Sequence, residues 1–167
     1  MNSGAISKNV INKELIKIIL LTALLAGTLD ILSAIINTYV QYGISPGRVF
    51  RFIASGVFGD NAYSGGLVMI AAGIIFHYFI ALIWTVIFFF IFIKFNLSSC
   101  CKYIYGLAYG ILVWLVMNLI VVPLSNTPHH PFTFKVVLPG VLFLIFFIGL
   151  PVSLSYHKYY SGKNLRR

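Results

Sequence analysis

The sequence predicts an all-α protein that crosses a membrane four times. The chain has 167 residues, of which 60% are hydrophobic and 9% charged, and its mean hydropathy is +0.97. A soluble domain carries about a quarter of its residues as charges, so this chain could not cover a water-facing surface. Its apolar residues fall into four runs, each close to the roughly 20 residues that a membrane-spanning helix needs. We expect one membrane domain over residues 1–167, folded as a four-helix transmembrane bundle.

The spans are defined by apolar runs with few interruptions. Asp30 is the single charge within the first run, and His77 lies near the middle of the charge-free second run. In the fourth run, Pro139 is expected in the first helical turn, where a missing N–H costs little, and Pro151 is expected to kink or end the helix. The predicted spans are about residues 15–39, 67–93, 103–123 and 136–156.

Basic residues predict the orientation. The net charge is +9, and because the basic residues flank apolar runs, we expect anionic lipid headgroups and not nucleic acid as their counterpart. Short loops rich in Lys and Arg stay in the cytoplasm, which places both termini there. The inner side then holds nine basic residues and the outer side three: Lys8, Lys13, Lys17, Lys94, Lys102, Lys158, Lys163, Arg166 and Arg167 against Arg48, Arg51 and Lys135.

The first outer loop is predicted to contain a short amphipathic helix over about residues 46–58. Ser45 is a suitable N-cap and Pro46 suits the first helical position. Such a helix lies at the membrane surface or dips into it as a re-entrant element. Asp60, with the residue after it, is expected to cap the start of the second span. The candidate residues of this loop are Arg48, Arg51 and Ser55 on one face, and Gly56, Gly59 and Asp60 where the glycines break the helix.

Three polar residues are predicted to share the interior of the membrane domain. Asp30, His77 and Asn118 each lie on a helix face that otherwise carries small residues, the pattern that close packing of helices in lipid uses. A carboxylate in the hydrocarbon costs about 2.5–3.5 kcal/mol on insertion scales, so Asp30 should face protein or a wet cavity. The small residues on these faces include Ala23, Gly27, Ala34, Gly66, Gly73, Ala81, Gly106 and Gly110.

Two interpretations of this intramembrane polar cluster remain open. In the first, the side chains form a structural hydrogen-bond cluster, with Asp30 paired to Arg48 or Arg51 of the outer helix. In the second, Asp30 and His77 line a path for protons or a polar substrate, since a buried carboxylate and an imidazole both change charge near neutral pH.

Catalytic and metal-binding patterns are missing from the sequence. It contains no Gly-rich phosphate loop, CxxC pair, HExxH motif or GxSxG elbow, and its acids are Glu14, Asp30 and Asp60. His129 and His130 are adjacent, so in an extended segment they point opposite ways, without an acidic or Cys ligand nearby. We therefore expect no catalytic residues, no metal site and no cofactor, and an enzyme is the weakest hypothesis.

Aromatic residues are expected at the lipid and at the interface. Phe88–Phe90 are interpreted as lipid-facing bulk, and Tyr159 and Tyr160 as interface anchors. His157, beside a lysine, is expected at the inner membrane surface.

Three strings carry a resemblance to known proteins: residues 27–30 (GTLD), residues 53–59 (IASGVFG), and Met117-Asn118 with residues 122–125 (VPLS). Together they resemble a group of small four-helix bacterial membrane proteins that has no assigned activity, and the resemblance covers about residues 20–155. It implies the bacterial cytoplasmic (inner) membrane as the location. The residues that it highlights are Asp30, Arg51, Ser55, Gly56 and Asn118.

Three functions are compatible with these features. The first is a small accessory or structural membrane protein, and the second is a homo-oligomeric transporter or channel lined by Asp30 and His77. The third is a lipid-headgroup binding protein that uses Arg48 and Arg51. The expected partners are the bilayer itself, and further copies of the chain or another membrane protein.

Overall fold

The computed structural model describes residues 13–95, 101–128 and 133–164. Over these ranges the chain is helical and contains no strand. Several residues singled out in the sequence lie outside the described residues, namely Lys8, His129, His130, Arg166 and Arg167. The helices are α1 (Lys13–Tyr42), α2 (Pro46–Phe58), α3 (Asn61–Ser64), α4 (Gly66–Lys94), α5 (Lys102–Leu124) and α6, which joins Phe134–Phe143, Leu144–Gly149 and Leu150–Asn164.

Four of these helices, α1, α4, α5 and α6, are long and apolar enough to cross a membrane. The all-α class and the four long apolar helices are therefore confirmed. The helices extend beyond the predicted spans by one to eight residues at each end. Because α6 begins at Phe134, Pro139 lies inside the helix and not in its first turn, so that prediction was wrong.

Each of α5 and α6 contains one π-helical segment shortly before a proline. Met117–Val121 precedes Pro123, and Leu144–Gly149 precedes Pro151. Proline has no N–H, and in an α-helix its ring clashes with the carbonyl four residues earlier. In a wider π turn the ring faces a different carbonyl. The helix therefore continues through Pro151 as far as Asn164, and the expectation that this proline could end it was wrong.

Glycines let α5 and α6 touch backbone to backbone. A Cβ atom on Gly110 would meet the Cα of Ile145, and one on Gly149 would collide with the carbonyl oxygen of Gly106. No other residue type leaves that space, so these glycines set the distance between the two helices. The small-residue face predicted on α5 is thus used to pack against the π-helical segment of α6.

Helix α4 is approached in the same way from two sides. On one side a Cβ on Gly27 of α1 would lie 3.1 Å from the Cβ of Ala81. On the other side a Cβ on Gly73 would collide with the carbonyl group of Phe50 in α2. Both contacts place α4 between the first long helix and the short helix α2.

Aromatic rings fill the core at one end of the molecule, here called the aromatic end. Phe88 stacks on Phe92 with ring centroids 4.0 Å apart and meets Tyr109 of α5 edge to face at 4.7 Å. Tyr156 of α6 and Leu15 of α1 complete the cluster, so all four long helices contribute to it. The opposite end, which carries α2, is called the α2 end.

Two expectations about aromatic residues were wrong. Phe88 and Phe89 are 0% and 1% exposed and form the core, whereas Phe90 is 63% exposed and alone matches the predicted lipid-facing position. His157 is 4% exposed, and its two ring nitrogens are buried without a hydrogen-bond partner. It packs against the rings of Tyr105 and Tyr156, so its side chain faces the protein and not the surrounding surface.

Candidate functional site at the α2 end

Helix α2 occupies the predicted range but ends differently from the prediction. Pro46 is at its first turn, and Ser45 holds the N-cap position without a side-chain capping hydrogen bond. Gly56 lies inside the helix, so only Gly59, with φ +56°, ends it. Asp60 precedes the extra turn α3 and not α4, and it too makes no side-chain capping hydrogen bond. The expected cap of the second span is therefore absent from this position.

Contacts on two sides hold α2 against the long helices. Besides the approach to α4 at Gly73, Phe58 stacks on Phe76 with ring centroids 6.0 Å apart. Just beyond the end of α5, the backbone N–H of Asn126 donates to the carbonyl oxygen of Gly56 at 3.1 Å. An open depression lies beside this junction, with Asp60, Ser125 and Thr127 among its lining residues.

The predicted polar face of α2 divides into three different environments. Arg48 is exposed. Ser55 is completely buried and donates its hydroxyl to the carbonyl oxygen of Phe52 at 2.7 Å. Arg51 is half-buried, and its Nε atom is enclosed without a hydrogen-bond partner. An enclosed guanidinium donor without an acceptor carries a desolvation cost, which makes Arg51 the unusual member of this face.

Asp30 and His77 come together where α1 packs against α4. Nε2 of His77 lies 2.8 Å from the carbonyl oxygen of Gly27, one helical turn before Asp30. Because a carbonyl only accepts, this nitrogen must carry the proton, which leaves Nδ1 as an acceptor in the neutral ring. Asp30 is half-buried and interacts electrostatically with His77. The predicted pairing of Asp30 with Arg51 is not made through Nε of Arg51.

Asn118 forms a side-chain hydrogen bond within its own helix. Its side-chain nitrogen donates to the carbonyl oxygen of Trp114 at 3.0 Å, inside the π-helical part of α5. A π turn disturbs the regular i to i−4 bonding, so a side-chain amide can supply a donor there. Of the three residues in the predicted polar cluster, the structure thus brings Asp30 and His77 together and assigns Asn118 to a bond within α5.

Several polar contacts between helices were not found from the sequence. The hydroxyls of Thr28 in α1 and Tyr78 in α4 share a hydrogen bond of 2.9 Å. Tyr109 of α5 donates to the carbonyl oxygen of Trp84 in α4. Ser153 of α6 donates to the carbonyl oxygen of Lys102 in α5 at 2.7 Å. Hydroxyl residues are common in membrane helices, so the sequence does not indicate which of them bond to a neighbouring helix.

The polar chemistry of this half of the molecule is therefore that of two separate groups: a guanidinium on α2, and a carboxylate on α1 that interacts with an imidazole on α4. Among the described residues no group of three His, Cys, Asp or Glu side chains could hold a metal ion. The fold defines a helical membrane protein with four candidate spans. Comparison of the chain with known protein families, with curated proteins and with solved structures returned no match.

Proposed function

We propose that this chain is a small accessory or structural protein of a membrane, acting as a partner subunit or an assembly factor. The observation that carries the proposal is that its intramembrane polar groups form hydrogen bonds within the protein. His77, Tyr78 and Tyr109 all form hydrogen bonds to a neighbouring helix, and Asn118 bonds within its own. A carrier needs polar groups that are free to exchange partners with a substrate, whereas bonds between helices hold one arrangement.

The proposed setting is a four-helix bundle in the bacterial cytoplasmic membrane, with both termini in the cytoplasm. Among residues with described side chains, the aromatic end holds five lysines and the α2 end three basic residues, which favours a cytoplasmic aromatic end. Helix α2 meets α4 at Gly73, seven residues from the start of α4 and thus about 10 Å along its axis. That depth supports a re-entrant position for α2. The lysines are Lys13, Lys17, Lys94, Lys102 and Lys158, and the other three residues are Arg48, Arg51 and Lys135.

Gentle purification at native expression level tests the proposal. Chemical cross-linking in the intact membrane, followed by mass spectrometry of the purified complex, should identify a reproducible partner protein in stoichiometric amount. As a control, the same procedure is applied to a strain that carries only the affinity tag. Recovery of the chain alone or only with copies of itself, from membranes in which cross-links within the chain form efficiently, would contradict the accessory function.

One observation favours a second candidate, a homo-oligomeric transporter or channel. Asp30 and His77 place an acid beside an imidazole in the apolar part of the protein, an arrangement that can bind and release protons. A single copy with four spans leaves little room for a path, so oligomerisation is required. In liposomes with an enclosed pH-sensitive dye, the wild type should carry protons and Asp30→Asn should not, while remaining folded. Equal proton flux in both, or none in the wild type, would remove this candidate.

A further inference from the structure

The guanidinium of Arg51 lacks a hydrogen-bond acceptor at its enclosed nitrogen. Arg51 is half-buried on α2, between Gly47, which packs on Ile70 of α4, and the completely buried Ser55. Its Nε atom is enclosed and has no hydrogen-bond partner. A guanidinium remains charged in proteins and has five N–H donors, so enclosing one of these donors without an acceptor is costly. This position therefore calls for an acceptor with negative charge.

The chain has few groups that could supply that charge. Its 167 residues include three acids, Glu14, Asp30 and Asp60. Glu14 lies in the first turn of α1, at the aromatic end and thus opposite α2. Asp30 interacts electrostatically with His77 of α4, and Asp60 is exposed beyond the end of α2. None of them accepts a hydrogen bond from Nε of Arg51, which leaves this nitrogen open to an anion from outside the chain.

We propose that Arg51 binds the phosphate group of an anionic membrane lipid. Arginine is suited to phosphate because its planar fork of donors matches the phosphate oxygens. The surroundings favour a lipid over a free phosphate, because the neighbouring surface at the α2 end is apolar and exposed. Val40, Leu67 and Val68 are 76%, 82% and 73% exposed, at the end of α1 and the start of α4 that flank α2. The headgroup phosphate would contact Arg51, and the acyl chains would cover these side chains.

Native mass spectrometry of the purified full-length protein in mixed micelles provides the test. The probes are phosphatidylglycerol and phosphatidylcholine at equal concentration. We expect wild type to retain phosphatidylglycerol in preference, and Arg51→Gln to lose about tenfold of that preference, the scale of one hydrogen bond to a charged group. The matched control is Arg48→Gln, on the same helix but exposed, which should lose less than about fivefold and only at low salt.

A stability measurement keeps the proposal testable if Arg51→Gln folds poorly. Arg51→Met removes the charge but retains an apolar side chain of similar length. With phosphatidylcholine alone, we expect its thermal midpoint to equal or exceed that of wild type, because an enclosed N–H donor without an acceptor is gone. Adding phosphatidylglycerol should raise the midpoint of wild type above that of Arg51→Met.

Three outcomes would overturn the proposal. The first is an unchanged preference for phosphatidylglycerol in Arg51→Gln. The second is an equal loss in Arg51→Gln and Arg48→Gln that disappears at high salt, which indicates general surface charge. The third is displacement of bound phosphatidylglycerol from wild type by millimolar inorganic phosphate, together with equal stabilisation by phosphate alone, which would identify free phosphate as the ligand.

Discussion

Replacing Gly73 by alanine tests whether the contact between α2 and α4 holds the α2 end together. The added Cβ would collide with the carbonyl group of Phe50, a backbone group that cannot rotate away. The two helices must separate, and overpacking of this kind costs about 1–3 kcal/mol. Alanine also improves helix propensity by up to about 1 kcal/mol over glycine, so we expect a net destabilisation of about 1–2 kcal/mol. Titration of the purified protein with sodium dodecyl sulfate, followed by circular dichroism, measures it.

Gly56 supplies the matched control. A Cβ at this position of α2 would lie 3.7 Å from side-chain atoms of Ser125 and Thr127, an ordinary van der Waals distance. Gly56→Ala should therefore leave stability unchanged or raise it by up to about 1 kcal/mol through helix propensity. If Gly73→Ala proved as stable as Gly56→Ala, the inference that α2 rests on the backbone of α4 would be refuted.

Three further outcomes are expected. Phe88→Ala should destabilise the protein by about 2 kcal/mol through the cavity that it leaves; this figure omits an aqueous transfer contribution, because the side chain is buried from lipid and not from water. Phe90→Ala, on an exposed side chain, should change stability by less than about 0.5 kcal/mol. Similar losses in the two variants would contradict the assignment of the core. In the same titration, His77→Ala should lower the free energy of unfolding by about 0.6–1.7 kcal/mol, the range for hydrogen bonds between membrane helices. A loss of stability no larger than that of Phe90→Ala would show that the hydrogen bond contributes nothing. Single cysteines introduced into a cysteine-free version of the protein can be labelled in intact cells with a membrane-impermeant maleimide. The reagent should label Ser45→Cys and should leave Lys158→Cys unlabelled until the membrane is opened. The reverse pattern would invert the proposed orientation.

The long helices could be predicted from the sequence because an apolar run of sufficient length is a property of the chain itself. The buried face of each helix could not, since these helices are apolar on every side. Phe88, Phe89 and Phe90 are chemically identical, yet two are core and one is exposed. Only the positions of the neighbouring helices decide between them, and small residues such as Gly27 and Gly110 were the available guide to those positions.

The polar cluster was predictable only in part, for a related reason. Asp30 and His77 lie on regular helices, so the small residues around them indicate the face that packs. Asn118 lies in a π-helical segment, where extra residues per turn change the direction of the side chains that follow. The sequence contains no direct signal for that segment except Pro123, which follows it. Arg51 could be placed on a polar face, but its enclosure depends on packing that no helical pattern describes.

The two ends of the molecule differ in mechanical compliance. At the aromatic end, rings and side chains from all four long helices interlock around Phe88, and no single helix can move without disturbing the others. At the α2 end, α2 packs closely on α4, but it is joined to the end of α5 by a backbone hydrogen bond and a longer side-chain hydrogen bond from Asn126, next to an open depression. Regions with few buried contacts open at a lower free-energy cost than the core. A change in the lateral pressure of the bilayer would therefore separate the end of α5 from α2 before it disturbs the aromatic end.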